Sequence, residues 1–480
     1  MTQKQLKILL AEAPFSYQGA IVKGERYFPL GIGYIASYIR RNPARKVDLF
    51  LGQLDDFEQK LKKEAPDVLG ISCMTNTYST GAEMARIAKE HNPNCTIIFG
   101  GQHASGMGAK LLDEVPEADF ICIGEGELLM DKLLTRIESG SKQWDDIPGL
   151  AYRTEDGFKE NLPFELNRDI ENLPLPARDL ADISIFKSHG QMRFGGQTAS
   201  MITSRGCPWN CTYCSSHITM GKKYRILSAD YVLKEIEELY YKYNVRNLVF
   251  WDDLITFDHE RLKEICQGII DRKLKIKWFC MSRTDRITLE IAEIMKKAGC
   301  KMVCFGIESG NEETLKRIRK NVKLDVVLNS IELCRKAGIR TQGSFILGFP
   351  WETKEQMMDS VNFSLKTKLD ICIFFSFTPY PSTHEWLNIP EELKPKNVRQ
   401  WDEFVCTNRV GRTWNAFVDE KEMKQIISKA YWKFYMRPSQ IYRILRSVRS
   451  FSDLFGIIQS GFGLVFSILK IRASSLRKSG

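Results

Sequence analysis

Along the first 150 residues, short apolar runs alternate with longer stretches of helical period. Residues 7–10, 47–51, 68–72, 96–100 and 120–124 have the length and β-branched or aromatic content of strands, and helical patterns lie near 29–40, 79–91, 106–114 and 127–138. This alternation predicts a doubly wound, Rossmann-like parallel sheet with helices on both faces, whose ligand binds beyond the C-terminal ends of the strands. Gly100-Gly101-Gln102-His103 and Gly124-Glu125-Gly126-Glu127 fall just after two of those strands. Glycine there serves either a tight turn or the close approach of backbone to a ligand.

Residues 151–195 contain Pro163, Pro174 and Pro176 without a sustained period, as expected of a connector. A second alternating series follows, with strand candidates at 199–204, 247–251, 277–281, 301–306, 341–347 and 372–378 and helical patterns between them, as at 229–240 and 327–338. Six such units predict a partial TIM-like (βα)6 barrel with its site at the C-terminal mouth of the strands. The expected order is therefore a parallel-sheet domain over 1–150, a connector over 151–195, a barrel over 196–390 and a helical extension over 391–480.

Composition places the 480-residue chain among globular proteins, at 43% hydrophobic and 27% charged residues. Its thirteen cysteines are not a disulfide framework in a chain of this size, and the N-terminus lacks the long apolar stretch of a signal peptide. Reduced thiols in a cytoplasmic protein are expected. The net charge of +10 is concentrated in residues 421–480, which carry twelve Lys or Arg against Glu422 and Asp453. A helix from Pro438 to about Phe451 would place Ile441, Ile444, Leu445, Val448 and Phe451 opposite Arg443, Arg446 and Arg449. The uncharged stretch 454–469 is shorter than the roughly 18 to 20 residues that span a bilayer. Such a tail is either a peripheral membrane anchor or a helical cap on the barrel. No nucleic-acid partner is expected, because no nucleic-acid-binding motif accompanies the basic residues.

The chemistry concentrates in Cys207, Cys211 and Cys214, a CxxxCxxC loop directly after the first barrel strand. Three thiolates on one loop hold three irons of a cubane 4Fe-4S cluster and leave the fourth open to another ligand. With His217 the same thiols would make a Cys3His zinc site, the alternative chemistry.

This loop, with the aromatic Tyr213 before its third cysteine, resembles that of the radical S-adenosylmethionine (SAM) superfamily, and the resemblance continues through the barrel. Trp251-Asp252-Asp253 stands where the family usually has Gly-Gly-Glu against the methionine amino group. Ser282 and Arg283 follow the third strand, Glu308 lies in a Phe305-to-Gly310 segment whose glutamate approaches the SAM ribose, and Leu347-to-Pro350 with Glu352 and Thr353 resembles another recurrent loop. The resemblance implies that Tyr213, Asp252, Asp253, Ser282, Arg283 and Glu308 hold SAM. An acid, a cation and a ribose acceptor complement its ammonium, carboxylate and hydroxyls.

The first unit is similar to the cobalamin-binding domain that precedes the barrel in one large radical SAM subfamily, through residues 27–36, 72–77, 100–103 and 124–127. The implied cobalamin contacts are Leu30, Gly31, Ser72, Thr75, Gly100, Gly101, His103, Gly124 and Glu125. The Asp-x-His-x-x-Gly motif that gives other cobalamin proteins an axial histidine is absent after the first strand, where Ala13 to Gln18 stands. A cobalt without a protein histidine below it suits cycling through Co(I), and so methyl transfer. The resemblance implies cleavage of SAM to a 5′-deoxyadenosyl radical, hydrogen abstraction, and methylation of an unactivated carbon on a small-molecule or lipid substrate. It also implies an external electron donor such as flavodoxin or ferredoxin. Cyclisation or rearrangement without net methylation is the alternative reaction, and a non-catalytic cobalamin or cluster sensor the alternative class.

Overall fold

A computed structural model describes residues 5–15, 27–186, 196–405 and 412–447. The apolar runs of the first unit form β1 (Leu6–Glu12), β2 (Arg45–Phe50), β3 (Val68–Ser72), β4 (Thr96–Gly100) and β5 (Phe120–Cys122), all parallel. The middle of β1, β3 and β4 is buried without alternation, as expected where helices cover both faces. The cover is α1 (Leu30–Ile39), α2 (Phe57–Glu64), α3 (Tyr78–His91), α4 (Gly101–Met107), α5 (Lys110–Glu114) and α6 (Gly126–Glu138). The helix expected over 106–114 is two pieces, because Gly108 at φ +60° breaks it. An antiparallel hairpin, β6 (Leu150–Thr154) and β7 (Gly157–Glu160), extends the sheet to the order β2-β1-β3-β4-β5-β6-β7. The sheet therefore continues past residue 150, to Glu160. The hairpin sits at an edge with a largely exposed outer strand, so its sequence carries little apolar pattern.

The second unit begins with β8 (Gln197–Met201). It then runs through the short antiparallel pair β9 (Ser204–Arg205) and β10 (Arg225–Ile226), separated by the cysteine loop and α7 (Ser216–Met220). Five strand–helix units follow: α8 (Ala229–Tyr241), β11 (Val245–Phe250), α9 (His259–Asp271), β12 (Lys277–Ser282), α10 (Leu289–Lys297), β13 (Cys300–Glu308), α11 (Glu312–Arg317), α12 (Leu324–Lys336), β14 (Arg340–Leu347), α13 (Lys354–Lys366) and β15 (Ile371–Ser376). The six long strands pair in parallel, in the order β15-β14-β13-β12-β11-β8, so the barrel stays open. Its helix-facing layer is one large core. Its inner face is a separate small cluster of Val249, Phe279, Met302, Cys304 and Ile371, with Tyr27, Trp251 and Ile373 against it.

Both open edges are covered. At β8 the connector supplies Arg178, which donates to the Ser200 carbonyl at 2.8 Å, and Gln197 reaches back to the Phe186 carbonyl at 3.1 Å. At β15 the cover is α15 (Glu420–Tyr435). The Tyr435 hydroxyl accepts from Cys372 N at 3.1 Å and donates to Cys372 O at 3.0 Å, and Tyr431 makes the same pair with Phe374 at 3.2 and 3.4 Å. Two phenols thus occupy the hydrogen-bonding positions of a missing seventh strand.

The extension does not stay on the barrel. After α14 (His384–Leu387), Trp401 packs into the first unit, 4.6 Å from the His103 ring, and Asn415 donates to the carbonyls of Phe349 and Glu352 at 2.6 and 2.8 Å. Finally α16 (Pro438–Ser447) docks below β15. Gln440 donates there to the Asp370 carbonyl at 2.7 Å and Arg443 to that of Leu369 at 3.2 Å, with Arg437 on Leu365 O. Arg437 and Arg443 are thus engaged with barrel carbonyls, while Ile441 and Tyr442 are exposed. The stretch 454–469 lies outside the described residues, and among those described no helix is long and apolar enough to cross a membrane.

The two units are clasped by buried charge. Glu125 and Glu127 follow β5, and Arg205 and Arg225 belong to the β9–β10 pair. Arg205 meets Glu127 at 2.6 Å and Glu125 at 3.1 Å, and Arg225 meets Glu125 at 2.7 Å. All four side chains are less than a tenth exposed, so each charge needs its partner. Removing one member of such a set leaves an uncompensated buried charge, which costs about 3 kcal/mol. Glu127→Gln is therefore expected to lower the denaturant midpoint, and Glu127→Gln/Arg205→Met to recover part of the loss, as read from chemical unfolding curves.

Candidate active site at the facing ends of the two sheets

The clasp brings the C-terminal ends of both sheets together, and the cysteine loop lies between them. Its backbone leaves β9 at Gly206, whose φ of +84° and whose absent Cβ, which would lie 2.3 Å from the Lys223 carbonyl, admit only glycine. Cys207, Cys211 and Cys214 are partly exposed, while the other described cysteines are all buried and none forms a disulfide. Among the described residues no three His, Cys, Asp or Glu side chains converge on one point as a single metal ion requires. A zinc ion needs four donors about 2.0 to 2.3 Å from one centre, whereas a cubane spreads three cysteines over three irons. The donor set, three free thiols on one loop at a barrel mouth, fits the cluster. Burial raises the Cys207 thiol and pushes Cys214 up to about 12, with the Asp253 carboxylate adding to both, so these thiolates form with iron rather than ahead of it.

The loop is braced on every side. Trp209 lies under the Arg283 guanidinium at 4.4 Å and that of Arg286 at 5.1 Å, with Phe257 edge-on at 5.3 Å. Thr212 N donates to Ile318 O at 3.1 Å, and the Cys211 sulfur lies 3.9 Å from Arg319 O. From the first unit, Gln102 bonds Ser215.

Asp252 and Asp253, adjacent in sequence, separate here. Asp252 is 1% exposed and accepts from Thr203 N at 3.0 Å, Thr203 Oγ1 at 2.7 Å and Ser204 Oγ at 2.6 Å, pinning the strand that leads into the cysteine loop. Burial raises its pKa, which those bonds oppose. Asp252 is thus a brace and not a SAM contact. Asp253 is exposed at the mouth, bonded to Ser216 and close to Cys207 and Cys214, and suits the methionine ammonium.

Ser282 is buried and shares a 2.6 Å bond with Thr256 Oγ1 while donating to Arg283 O at 2.8 Å. Arg283 pairs with Asp285 at 3.0 and 3.1 Å and donates to Lys320 O at 3.0 Å. Glu308 sits at φ +71° beside a register shift in β13 that re-aims its side chain, and Lys320 Nζ is 3.0 Å from its Oε1. A Cβ at Gly306 would lie 2.4 Å from Glu308 Oε1 and 3.1 Å from Lys320 Nζ, so the bare glycine makes room for this pair. Left-handed backbone at a glutamate costs about 1 to 3 kcal/mol and persists where function holds it. Burial, then the Glu308 carboxylate, raises the Tyr213 phenol, so tyrosine and glutamate face each other beside the cysteines. Lys320 carried no signal in the sequence beyond its place in a basic run. Arg205, Glu127 and Gln102 were likewise missed as contributors to the site.

The first unit's candidates divide in the same way. Gly31 would meet nothing within 4 Å if given a Cβ, and Gly100 only Cys122 at 3.8 Å, so bare backbone borders open space at α1 and β4. Gly101, at φ +89°, would strike Cys73 O at 2.8 Å and Ser72 Oγ at 2.9 Å. Leu30, at the start of α1, is buried, and Ser72 ends β3 half-buried. This glycine-edged rim at the strand ends would suit a corrin, and Phe15, 42% exposed, stands in the stretch where the axial-histidine motif of cobalamin proteins would fall. Four candidates do not belong to it. His103 is fully buried between Tyr78 at 4.2 Å and Trp401, and Thr75 is buried with it, 3.3 Å from Nδ1. Gly124 lies under the Phe164 ring of the connector, and Glu125 is held by the two arginines.

Three outcomes are expected. Asp253→Asn should weaken SAM binding about tenfold, roughly 1.4 kcal/mol, with iron per chain unchanged; Asp252→Asn should lower iron per chain and thermal stability. Iron assay and SAM titration on the cluster absorbance separate the two. Burial holds His103 neutral down to about pH 3, whereas an unfolded histidine takes its proton near pH 6.5. The folded state binds fewer protons between those values, so this stability is complete above about pH 6.5 and is lost as pH falls towards 3. His103→Phe should flatten the fall in melting temperature between pH 7 and pH 5.

With this geometry in place, comparison with known proteins is informative. The radical SAM superfamily profile matches residues 201–364 and the B12-binding domain profile residues 20–134. A Pyrococcus horikoshii protein named as an uncharacterised methyltransferase is 31% identical over 92% of this chain and 95% of its own length. The anaerobic magnesium-protoporphyrin IX monomethyl ester cyclase of Rubrivivax gelatinosus is 26% identical over 78% of this chain and 68% of its own. Among solved structures, the radical SAM methyltransferase TsrM from Kitasatospora setae, with cobalamin and a 4Fe-4S cluster bound, superposes with a TM-score of 0.69 at 15% identity, covering 98% of this chain and 100% of its own. The cobalamin-dependent SAM radical enzyme OxsB gives 0.65 at 21% identity, covering 87% of this chain, which spans 58% of the length of OxsB. The two matched profiles, the full-length relative and the shared fold show that this chain belongs to the cobalamin-dependent radical SAM enzymes, whose cofactors are a 4Fe-4S cluster, SAM and cobalamin.

Proposed function

We propose that the enzyme methylates an unactivated carbon of a small-molecule or lipid substrate. The observation that carries this reading is the placement of the three-cysteine loop against the B12-binding unit, through Gln102 on Ser215 and Arg205 on Glu125 and Glu127, beside the glycine-edged strand ends. When bound, the cluster and SAM supply a hydrogen-abstracting radical, and cobalamin supplies the methyl group. The chain's own residues hold those groups in line and keep water out, which is the protein's share in such chemistry. Cys207, Cys211 and Cys214 ligate iron. Asp253 receives the methionine ammonium, Arg283 its carboxylate and Glu308 the ribose, with Ser282 and Tyr213 beside them. Leu30, Gly31, Ser72, Gly100 and Gly101 border the corrin.

The exposed Ile441 and Tyr442 on a cationic tail support a lipid substrate and peripheral contact with a membrane. The name of the Pyrococcus relative supports methylation. The Rubrivivax cyclase has a similar chain named for a different reaction, so radical cyclisation without net methylation is the second reading.

The test is mass-spectrometric detection of SAM products after anaerobic cluster reconstitution and reduction, with and without cobalamin. 5′-Deoxyadenosine together with cobalamin-dependent S-adenosylhomocysteine is expected, and both should vanish in Cys207→Ala. Deoxyadenosine alone, with apolar extracts supplied, would transfer support to the cyclase reading.

A further inference from the structure

A cluster that cleaves SAM reductively must receive its electron from outside the chain. Electron transfer falls steeply with distance, so the entry point lies where the cluster loop comes nearest the surface. All three cysteines of the loop are partly exposed, and the segment laid against Cys211 is 318–320, through Thr212 N on Ile318 O at 3.1 Å and the Cys211 sulfur at 3.9 Å from Arg319 O.

That segment belongs to the most uniformly basic stretch of the barrel. Residues 314–324 contain Lys316, Arg317, Arg319, Lys320 and Lys323 and no acid. Lys320 is buried on Glu308 and belongs to the SAM site. The other four are exposed, and none forms an ion pair among the described residues; Arg317 lies over the Trp351 ring at 4.0 Å. The nearest acids along the chain, Glu312, Glu313 and Asp325, flank the stretch, and Glu313 accepts from Gln356. Unpaired cations on a fold normally find surface carboxylates. Four of them left open on the segment whose Ile318 and Arg319 carbonyls meet the cysteine loop make a patch complementary to an acidic partner.

We infer that Lys316, Arg317, Arg319 and Lys323 form the docking surface for an acidic one-electron carrier protein, a flavodoxin or ferredoxin type of partner, which passes its electron to the cluster past Cys211. One electron leaves the carrier and one enters the cluster; no bond is formed or broken. Encounters of this kind are small, brief and steered by charge, so the patch sets the association rate more than the affinity. The inference rests on the cluster assignment to Cys207, Cys211 and Cys214, which iron content and absorbance establish before the kinetics are run.

The experiment uses the full chain with its cluster reconstituted. Reduction of the cluster is followed by stopped-flow bleaching with two donors, a flavodoxin of net negative charge in its hydroquinone form and reduced methyl viologen, a small cation. In Lys316→Glu/Arg319→Glu/Lys323→Glu the flavodoxin rate constant is expected to fall at least tenfold at low ionic strength, and its dependence on salt to flatten. The viologen rate should not fall. Lys222→Glu/Lys223→Glu, two exposed lysines between α7 and β10, should leave the flavodoxin rate unchanged. An unchanged flavodoxin rate in the triple variant, an equal loss with viologen, or the same loss in the Lys222/Lys223 variant would each overturn the docking surface. Failure to form a cluster in the wild-type chain would overturn the cluster assignment instead.

Discussion

Four buried charges fix how the two halves of this enzyme face each other. Glu125 and Glu127 stand at the end of β5, Arg205 lies two residues before Cys207, and Arg225 is its partner strand's contribution. A buried guanidinium has no low-energy alternative to its carboxylate. A shift of one sheet against the other would strand at least one charge, so the network admits a single relative orientation. The cysteine loop, the glycine rim and the mouth between them all inherit their positions from it. The same acidic motif that resembles a cofactor-binding sequence therefore serves as the joint between cofactor domains.

Most of the architecture was legible from periodicity, because parallel strands covered on both faces must be continuous apolar runs and their helices must be amphipathic. The cysteine spacing was legible for a chemical reason, since three thiols on one loop suit few metal groups. Side-chain direction was not legible. Asp252 and Asp253 are the same residue type one position apart, and only the fold shows that one braces the strand and the other faces the mouth. His103 was implied as a cobalamin contact by the resemblance of Gly100 to His103 to a cobalamin-domain motif, yet the first turn of α4 swings it inward against an aromatic wall whose Trp401 comes from 298 residues further along the chain. No local pattern announces a partner so distant. The β6–β7 hairpin escaped notice for the opposite reason, as an exposed edge imposes little on its sequence.

Around Glu308 several small compromises point the same way. A register shift, a left-handed glutamate, a buried lysine and a glycine with no room for a side chain are each unfavourable in isolation. Together they aim one carboxylate at the cysteine loop. The 318–320 backbone that carries the lysine also contacts Cys211, Thr212 and Arg283, so the SAM pocket and the cluster loop share a wall.

The tyrosine hydroxyls on β15 have a consequence for how this protein is made. Tyr431 and Tyr435 lie more than fifty residues beyond the strand whose backbone they satisfy. During synthesis that strand leaves the ribosome with one side uncovered, and it stays so until those tyrosines have emerged in their turn. An unfinished chain would carry a bare parallel sheet edge, a template for pairing with its neighbours on the same messenger. The helix that closes the barrel's flank therefore protects the nascent chain from its siblings as well as completing the fold.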